Sequence, residues 1–150
     1  MGESQFIMRF PELQKELRVG PIEHNQAVFR WFVDNLPTRA LAGHTVVAGF
    51  SLFVINIPVR NPFPWKESDL VIEDISKMPI GRCTFFMTAG KVANVSCKCG
   101  EVTEPMSYIT WADVVEEDKP ALYEVGRAIW KIFMGNKKDI VHIEFVKAEG

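Results

Sequence analysis

The sequence predicts a mainly β domain, a small barrel with a helix over each end, and three observations carry that expectation. Hydrophobic residues make up 47% and charged residues 24% of 150 residues, the balance of a chain that buries one core without disulfides or metals. Short segments of alternating or β-branched and aromatic residues recur along most of the chain. Only two segments carry apolar residues at three- and four-residue spacing, so two helices stand among seven or eight strands. No internal repeat or linker divides it, and residues 1–150 are read as a single domain.

Phe6, Met8 and Phe10 alternate with Ile7 and Arg9, which predicts an opening strand that ends at Pro11. A short strand follows from Glu16 to Val19, and Gly20-Pro21 marks a turn. Asn25 is placed to cap the first helix, its side-chain oxygen accepting from the free amides of the first turn. Val28, Trp31, Phe32 and Leu36 mark one face of that helix from Gln26 to Leu36, and Pro37 stops it. Strands are expected at Thr45 to Val47 and Phe50 to Asn56, then, after a loop carrying Pro58, Pro62 and Pro64, at Leu70 to Ile72.

Met78 to Gly81 is a turn signal, and Cys83 to Thr88 is an uncharged run suited to a strand buried on both faces. Lys91 to Glu104 reads as a strand and hairpin, and Tyr108 to Trp111 as another short strand. Pro120 behind Asp118-Lys119 opens the second helix, where a missing amide costs nothing. Leu122, Val125, Ile129, Ile132 and Phe133 line its apolar face, and Gly135 is expected to end it in a left-handed conformation. Val141, Ile143 and Phe145 alternate with His142 and Glu144 in a closing strand.

Several function classes are disfavoured by composition. Seventeen basic against nineteen acidic residues give a formal charge of −2, without the footprint of a nucleic-acid binder. The uncharged stretch from Ala40 to Val59 contains His44, Asn56 and Pro58 and reads as two strands, not a membrane span. Three cysteines, Cys83, Cys97 and Cys99, and an N-terminus without a signal pattern point to a cytoplasmic location. Their spacing does not suit a structural zinc site, and they read as small sheet residues. The acidic runs, Glu73-Asp74 among them, read as turn residues and solvated charge rather than cation ligands. No phosphate loop or nucleophile elbow is present, and no cofactor is expected.

The order strand, strand, helix closing in Asn35-Leu36-Pro37, strands, the run from Met78 to Met87, a second helix and the strand Val141 to Phe145 resembles the small prokaryotic cyclophilin-like proteins of unknown function. The likeness runs from Phe6 to Val146, with Glu73-Asp74 where that family commonly shows Gly-Asp. The resemblance implies a closed eight-stranded barrel with a helix at each end. It does not imply prolyl isomerase activity: where true cyclophilins carry a Phe-His-Arg and a Phe-Met-Gln sequence, Leu41 to Val54 has His44 but neither arginine nor glutamine.

Eleven Phe and four Trp against two Tyr make the aromatic set apolar, and Phe50, Phe53, Phe63, Trp65, Phe85 and Phe86 concentrate where such a barrel keeps its groove. The expected site is therefore a concave apolar surface of Phe50, Phe53, Phe85 and Met87 beside His44, with Arg82 at its mouth to hold an anionic group. The expected function is binding of a small molecule or peptide without isomerase activity. The alternatives are a cryptic enzyme, either a residual isomerase or a hydrolase using His44 or a cysteine, and a homodimer or other assembly anchored by Trp65, Trp111 or Trp130.

Overall fold

The computed structural model describes residues 5–46, 49–88, 92–135 and 139–148. In chain order the strands and α-helices are β1 (Phe6–Phe10), β2 (Lys15–Pro21), α1 (Gln26–Asp34), β3 (Thr38–Leu41), β4 (Gly43–His44), β5 (Ser51–Pro58), β6 (Ile72–Asp74), β7 (Arg82–Thr88), β8 (Val92–Lys98), β9 (Ser107–Val114), α2 (Lys119–Met134) and β10 (His142–Lys147). The chain is a mainly β fold: the described residues form one antiparallel sheet, in the order β3-β10-β1-β2-β9-β7-β8-β5-β4 with β6 on β9, and two α-helices. No helix among the described residues is long and apolar enough to cross a membrane.

Alternation decides which side chains enter the core. Phe6, Met8 and Phe10 of β1 are buried together with Leu17 and Val19 of β2 and Ile143 and Phe145 of β10. The apolar stripe of α1 closes over them, with ring centroids 5.2 Å apart for Phe6 and Phe32 and 4.9 Å for Phe32 and Trp111. These contacts lie in the range where aromatic pairs add to plain burial. Trp31 faces the Pro-rich loop, where its indole N–H donates to Pro62 O at 3.1 Å. Asn35 Oδ1 straps the same loop by accepting from the amides of Arg60 and Asn61 at 2.7 and 2.8 Å.

The second helix buries Leu122, Val125 and Ile129. At Gly126 it approaches so closely that a Cβ would stand 2.5 Å from Cys99 Sγ and 3.0 Å from the Phe50 ring. Its end differs from expectation, because Gly135 is extended, with φ −103. Asn25 also takes another role. It adopts φ 55 and makes no side-chain cap; instead its amide donates to Val71 O and Thr110 O and its oxygen accepts from the Val71 amide. The helix start is thereby tied to β6 and β9.

The expected closed eight-stranded barrel is corrected in two respects: the described residues form ten strands, and their hydrogen-bonded path has two ends. The chain from Thr38 to His44 bends at Ala42, so that β3 pairs with β10 while β4 pairs with β5. Although β3 lies beside β5, no ladder joins them. A bulge between Val54 and Ile57 breaks the edge of β5, with Asn56 at φ 58 and its amide given to Asn94 Oδ1. Pro58 has no amide to offer, and the seam is held by Thr38 Oγ1 donating to Pro58 O at 2.8 Å. The strand expected at Thr45 to Val47 is not formed at Thr45 or Val46, which follow the two-residue β4, and Val47 lies outside the described residues.

Candidate functional site

Strand β7 presents two faces, and its phase decides the site. Cys83 and Phe85 point into the core, where Phe85 is fully buried against Trp31, Phe63 and Trp111 at centroid distances of 5.6, 5.1 and 5.9 Å. Thr84 and Phe86 point to the opposite face. There they meet residues of β5, β8 and β9 around a cavity of about 430 Å³.

The walls and floor of this cavity differ in chemistry. Phe53 of β5, Phe86 of β7 and Tyr108 of β9 form a row, with centroids 6.2 Å apart for Phe53 and Phe86 and 6.4 Å for Phe86 and Tyr108. The hydroxyls of Thr84 and Ser96, directly opposite in the β7 and β8 register, bond to one another on the floor. Thr45 and Ser51 add two more hydroxyls, while Ile75 and Met106 complete the apolar side. Among the described residues, no Asp, Glu, Lys or Arg lines the cavity.

The wall bearing Ile75 is fastened from behind. Lys98 is 8% exposed, and its ammonium donates to Met78 O at 2.8 Å, Ile75 O at 2.9 Å and Ser76 O at 3.5 Å. Burial lowers its pKa, and the carbonyls supply the compensation a buried cation needs.

His44 borders this cavity and a second one. It is 6% exposed, with its ring edge-on to Phe50 at 4.8 Å. Its Nδ1 accepts from the Val46 amide at 2.8 Å, which places the proton of the neutral ring on Nε2. That Nε2 has no partner among the described residues. Burial lowers the pKa of the ring, which favours the neutral form.

The six residues expected to form the site are therefore only partly brought together. Phe53 and His44 line the cavity. Phe50 instead packs between His44 and Tyr123, its amide bonded to Glu101 O at 2.9 Å. Phe85 and Met87 belong to the core side of β7, and Phe63 and Trp65 pack against that core too. Arg82 is not free at a mouth: its guanidinium holds Asp113 Oδ1 at 2.6 Å and Glu73 Oε1 at 2.5 Å.

Glu73 is consequently a structural ion-pair partner rather than a solvated turn residue. Burial alone would raise its pKa, but donation from Thr110 and Arg82 outweighs burial and lowers it. The cysteines are buried thiols. Cys83 and Cys97 are register partners that both direct Sγ at Gly81 O, and burial pushes the Cys99 thiol up to about 12. No group of three or more His, Cys, Asp or Glu side chains among the described residues is placed to hold a metal ion.

The residues missed from the sequence are Thr84, Ser96, Ser51, Tyr108 and, as a wall, Phe86. Alternation on β7 was the signal available for Thr84 and Phe86: once Phe85 is assigned to the core, its neighbours must face the other way.

No protein-family model matches the chain, and no curated protein matches it. A solved structure does. The chain is similar to McbB, described as the structure of McbB in complex with tryptophan, with a TM-score of 0.79 and 22% sequence identity over 97% of this chain. The chain spans 45% of the McbB chain, so the likeness concerns less than half of that protein. At this identity it shows a shared fold.

Proposed function

We propose that this protein is a binding module for an uncharged, aromatic-sized molecule or peptide side chain, held in the sheet-face cavity and not isomerised there. The observation that carries the proposal is the pairing of the Phe53, Phe86 and Tyr108 row with a hydroxyl floor in a cavity that no charged side chain among the described residues lines. Ring faces and edges suit a flat apolar body, and the hydroxyls donate or accept according to the ligand. An ionised group buried there would lose its hydration without a counter-charge.

The solved structure of McbB, which holds tryptophan, supports an aromatic ligand in a protein of this fold. Binding without prolyl isomerisation is supported by the engagement of Arg82, the arginine expected at the site, with two carboxylates. Kinship with the small cyclophilin-like proteins is part of the proposal and is supported by the order of elements.

The test is a thermal-shift panel of uncharged aromatic fragments and proline-containing peptides, run with wild type and Phe86→Ala. A ligand stabilises by RT ln(1 + [L]/Kd), about 2.7 kcal/mol at a hundred times Kd. Stabilisation in wild type that is lost in Phe86→Ala supports the reading. No shift in wild type, or equal shifts in both proteins, overturns it.

A further inference from the structure

The open seam of the sheet carries a cluster of exposed apolar side chains. With no ladder between β3 and β5, the bulge turns Ile55 and Asn56 outward, and the small residues Ala40, Ala42 and Gly43 leave a hollow of about 620 Å³ beside the second half of α2. Leu41, Ile55, Phe133 and Ile140 line it and are each about half exposed, from 49 to 59%. Trp130, one turn before Phe133, and Met134, next to it in the chain, are exposed as well. Of the three tryptophans expected to anchor an assembly, Trp130 stands at this edge, whereas Trp111 is fully buried and Trp65 packs against the core. Clustered exposed apolar surface of this kind marks an interaction site.

Two charged side chains frame the hollow. Arg39 and Asp139 are exposed on its lining, and neither makes an ion pair among the described residues. Glu144, the register partner of Arg39, has Arg9 Nη1 at 4.0 Å instead. The ladder between β3 and β10 sets their places: Arg39 is level with Glu144, and Asp139 lies beyond Val141, whose carbonyl accepts from the Ala42 amide at 2.8 Å. At about 3.3 Å per strand residue the two are roughly 15 Å apart, a cation at one end of the apolar face and a carboxylate at the other.

The surface complementary to this face is apolar, with a carboxylate and a cation at the same spacing in the reverse order. The face itself, rotated by half a turn, has that form. We propose that the seam face is the contact surface of a two-fold homodimer, in which Arg39 of each copy pairs with Asp139 of the other and the apolar side chains between them cover one another. An isologous contact uses the same patch on both copies, so the ionic pair forms twice. The apolar middle drives association, and the charged rim fixes the register. Neither Arg39 nor Asp139 lines the sheet-face cavity, so the two surfaces are tested separately.

The experiment is sedimentation of the full chain over a concentration series from micromolar to sub-millimolar, with charge-reversal variants. Wild type is expected to sediment at twice the chain mass at the upper end and to dissociate on dilution. Arg39→Glu sets two carboxylates against each other in both contacts and Asp139→Arg sets two cations, so each variant alone is expected to dimerise at least about tenfold more weakly. Both side chains are exposed, so circular dichroism is expected to be unchanged. Mixed in equal amounts, the two single variants bring opposite charges to both contacts and are expected to form a heterodimer as tight as wild type. The double variant is expected to dimerise with itself.

A wild type that stays monomeric throughout overturns the proposal. So does a dimer that neither reversal weakens, or one that mixing the reversals does not restore, because the contact then lies elsewhere. Phe133→Glu, in the apolar middle, is expected to abolish the dimer, and a dimer that survives it overturns the proposal as well. A monomeric wild type whose seam takes up an apolar dye that Phe133→Glu excludes would make the face a ligand groove and overturn the second copy as its occupant. Phe86→Ala is expected to leave the dimer intact, so failure of the aromatic panel with a normal dimer would overturn only the sheet-face reading.

Discussion

Truncating adjacent phenylalanines of β7 separates core from site. Phe85 is fully buried, with aromatic neighbours at 5.1 to 5.9 Å, so Phe85→Ala opens a cavity that the packed rings cannot collapse to fill. The expected cost is about 3–5 kcal/mol, and for a chain of this size that lowers Tm by roughly 10 °C or more. Phe86 is half-buried on the opposite face, against Phe53 at 6.2 Å and Tyr108 at 6.4 Å. Losing its ring should cost only about 1–2 kcal/mol of stability by area.

For binding the order reverses. Phe86→Ala should weaken an aromatic ligand about tenfold, because a ring contact contributes roughly 0.5–1.5 kcal/mol beyond its area. Phe85→Ala should change affinity little at a temperature where it remains folded. Chemical denaturation and calorimetric titration of both variants give the four numbers. If Phe86→Ala is the more destabilising, or if Phe85→Ala alone loses the ligand, the assignment of faces is wrong.

Other perturbations test the supports of the site. Lys98→Met leaves Ile75 O and Met78 O without their ammonium partner, and denaturation should show a loss of about 2–4 kcal/mol; a change below about 0.5 kcal/mol would refute the cradle. Gly126→Ala places a methyl 2.5 Å from Cys99 Sγ, so this helix glycine should be destabilised by about 1–3 kcal/mol despite the better helix propensity of alanine. His44 has a folded-state pKa below its ordinary 6.5, so its contribution to stability is present above pH 6.5 and is lost as pH falls through the folded value. As pH falls below 6.5 the wild type should lose stability, with a slope of at most about 1.36 kcal/mol per pH unit, and His44→Phe should be flatter; identical slopes would contradict the buried neutral ring.

Where the sequence pattern was periodic, the elements could be read from it. The alternation of Phe6, Met8 and Phe10, and of Val141, Ile143 and Phe145, marks the faces that the structure buries. The stripes of α1 and α2 are equally plain. What could not be read depends on partners distant in the chain. Thr38–Leu41 has no strong strand pattern and becomes β3 because β10 offers its edge. The bulge that opens the seam rests on Asn56, which adopts φ 58 with its amide bonded to Asn94.

The candidate site shows the same division. That β5 and β7 carry its aromatic residues was legible, but Phe85 and Phe86 are adjacent and equally apolar, so only packing assigns one to the core. Arg82 read as a free cation because Asp113, 31 residues onward, meets it only in the folded sheet. Lys98 carries no sequence signal of burial at all; its role comes from three carbonyls of one turn converging on its ammonium.

A ligand site on the sheet face of β5, β7, β8 and β9 can be located by amide chemical-shift mapping with the tightest uncharged aromatic fragment from the panel. Saturable shifts are expected to centre on Thr84, Phe86, Ser96 and Tyr108, with little change at Phe6, Phe29 or Phe145. Shifts confined to other parts of the sheet, or none at fragment concentrations that saturate the thermal response, would contradict it.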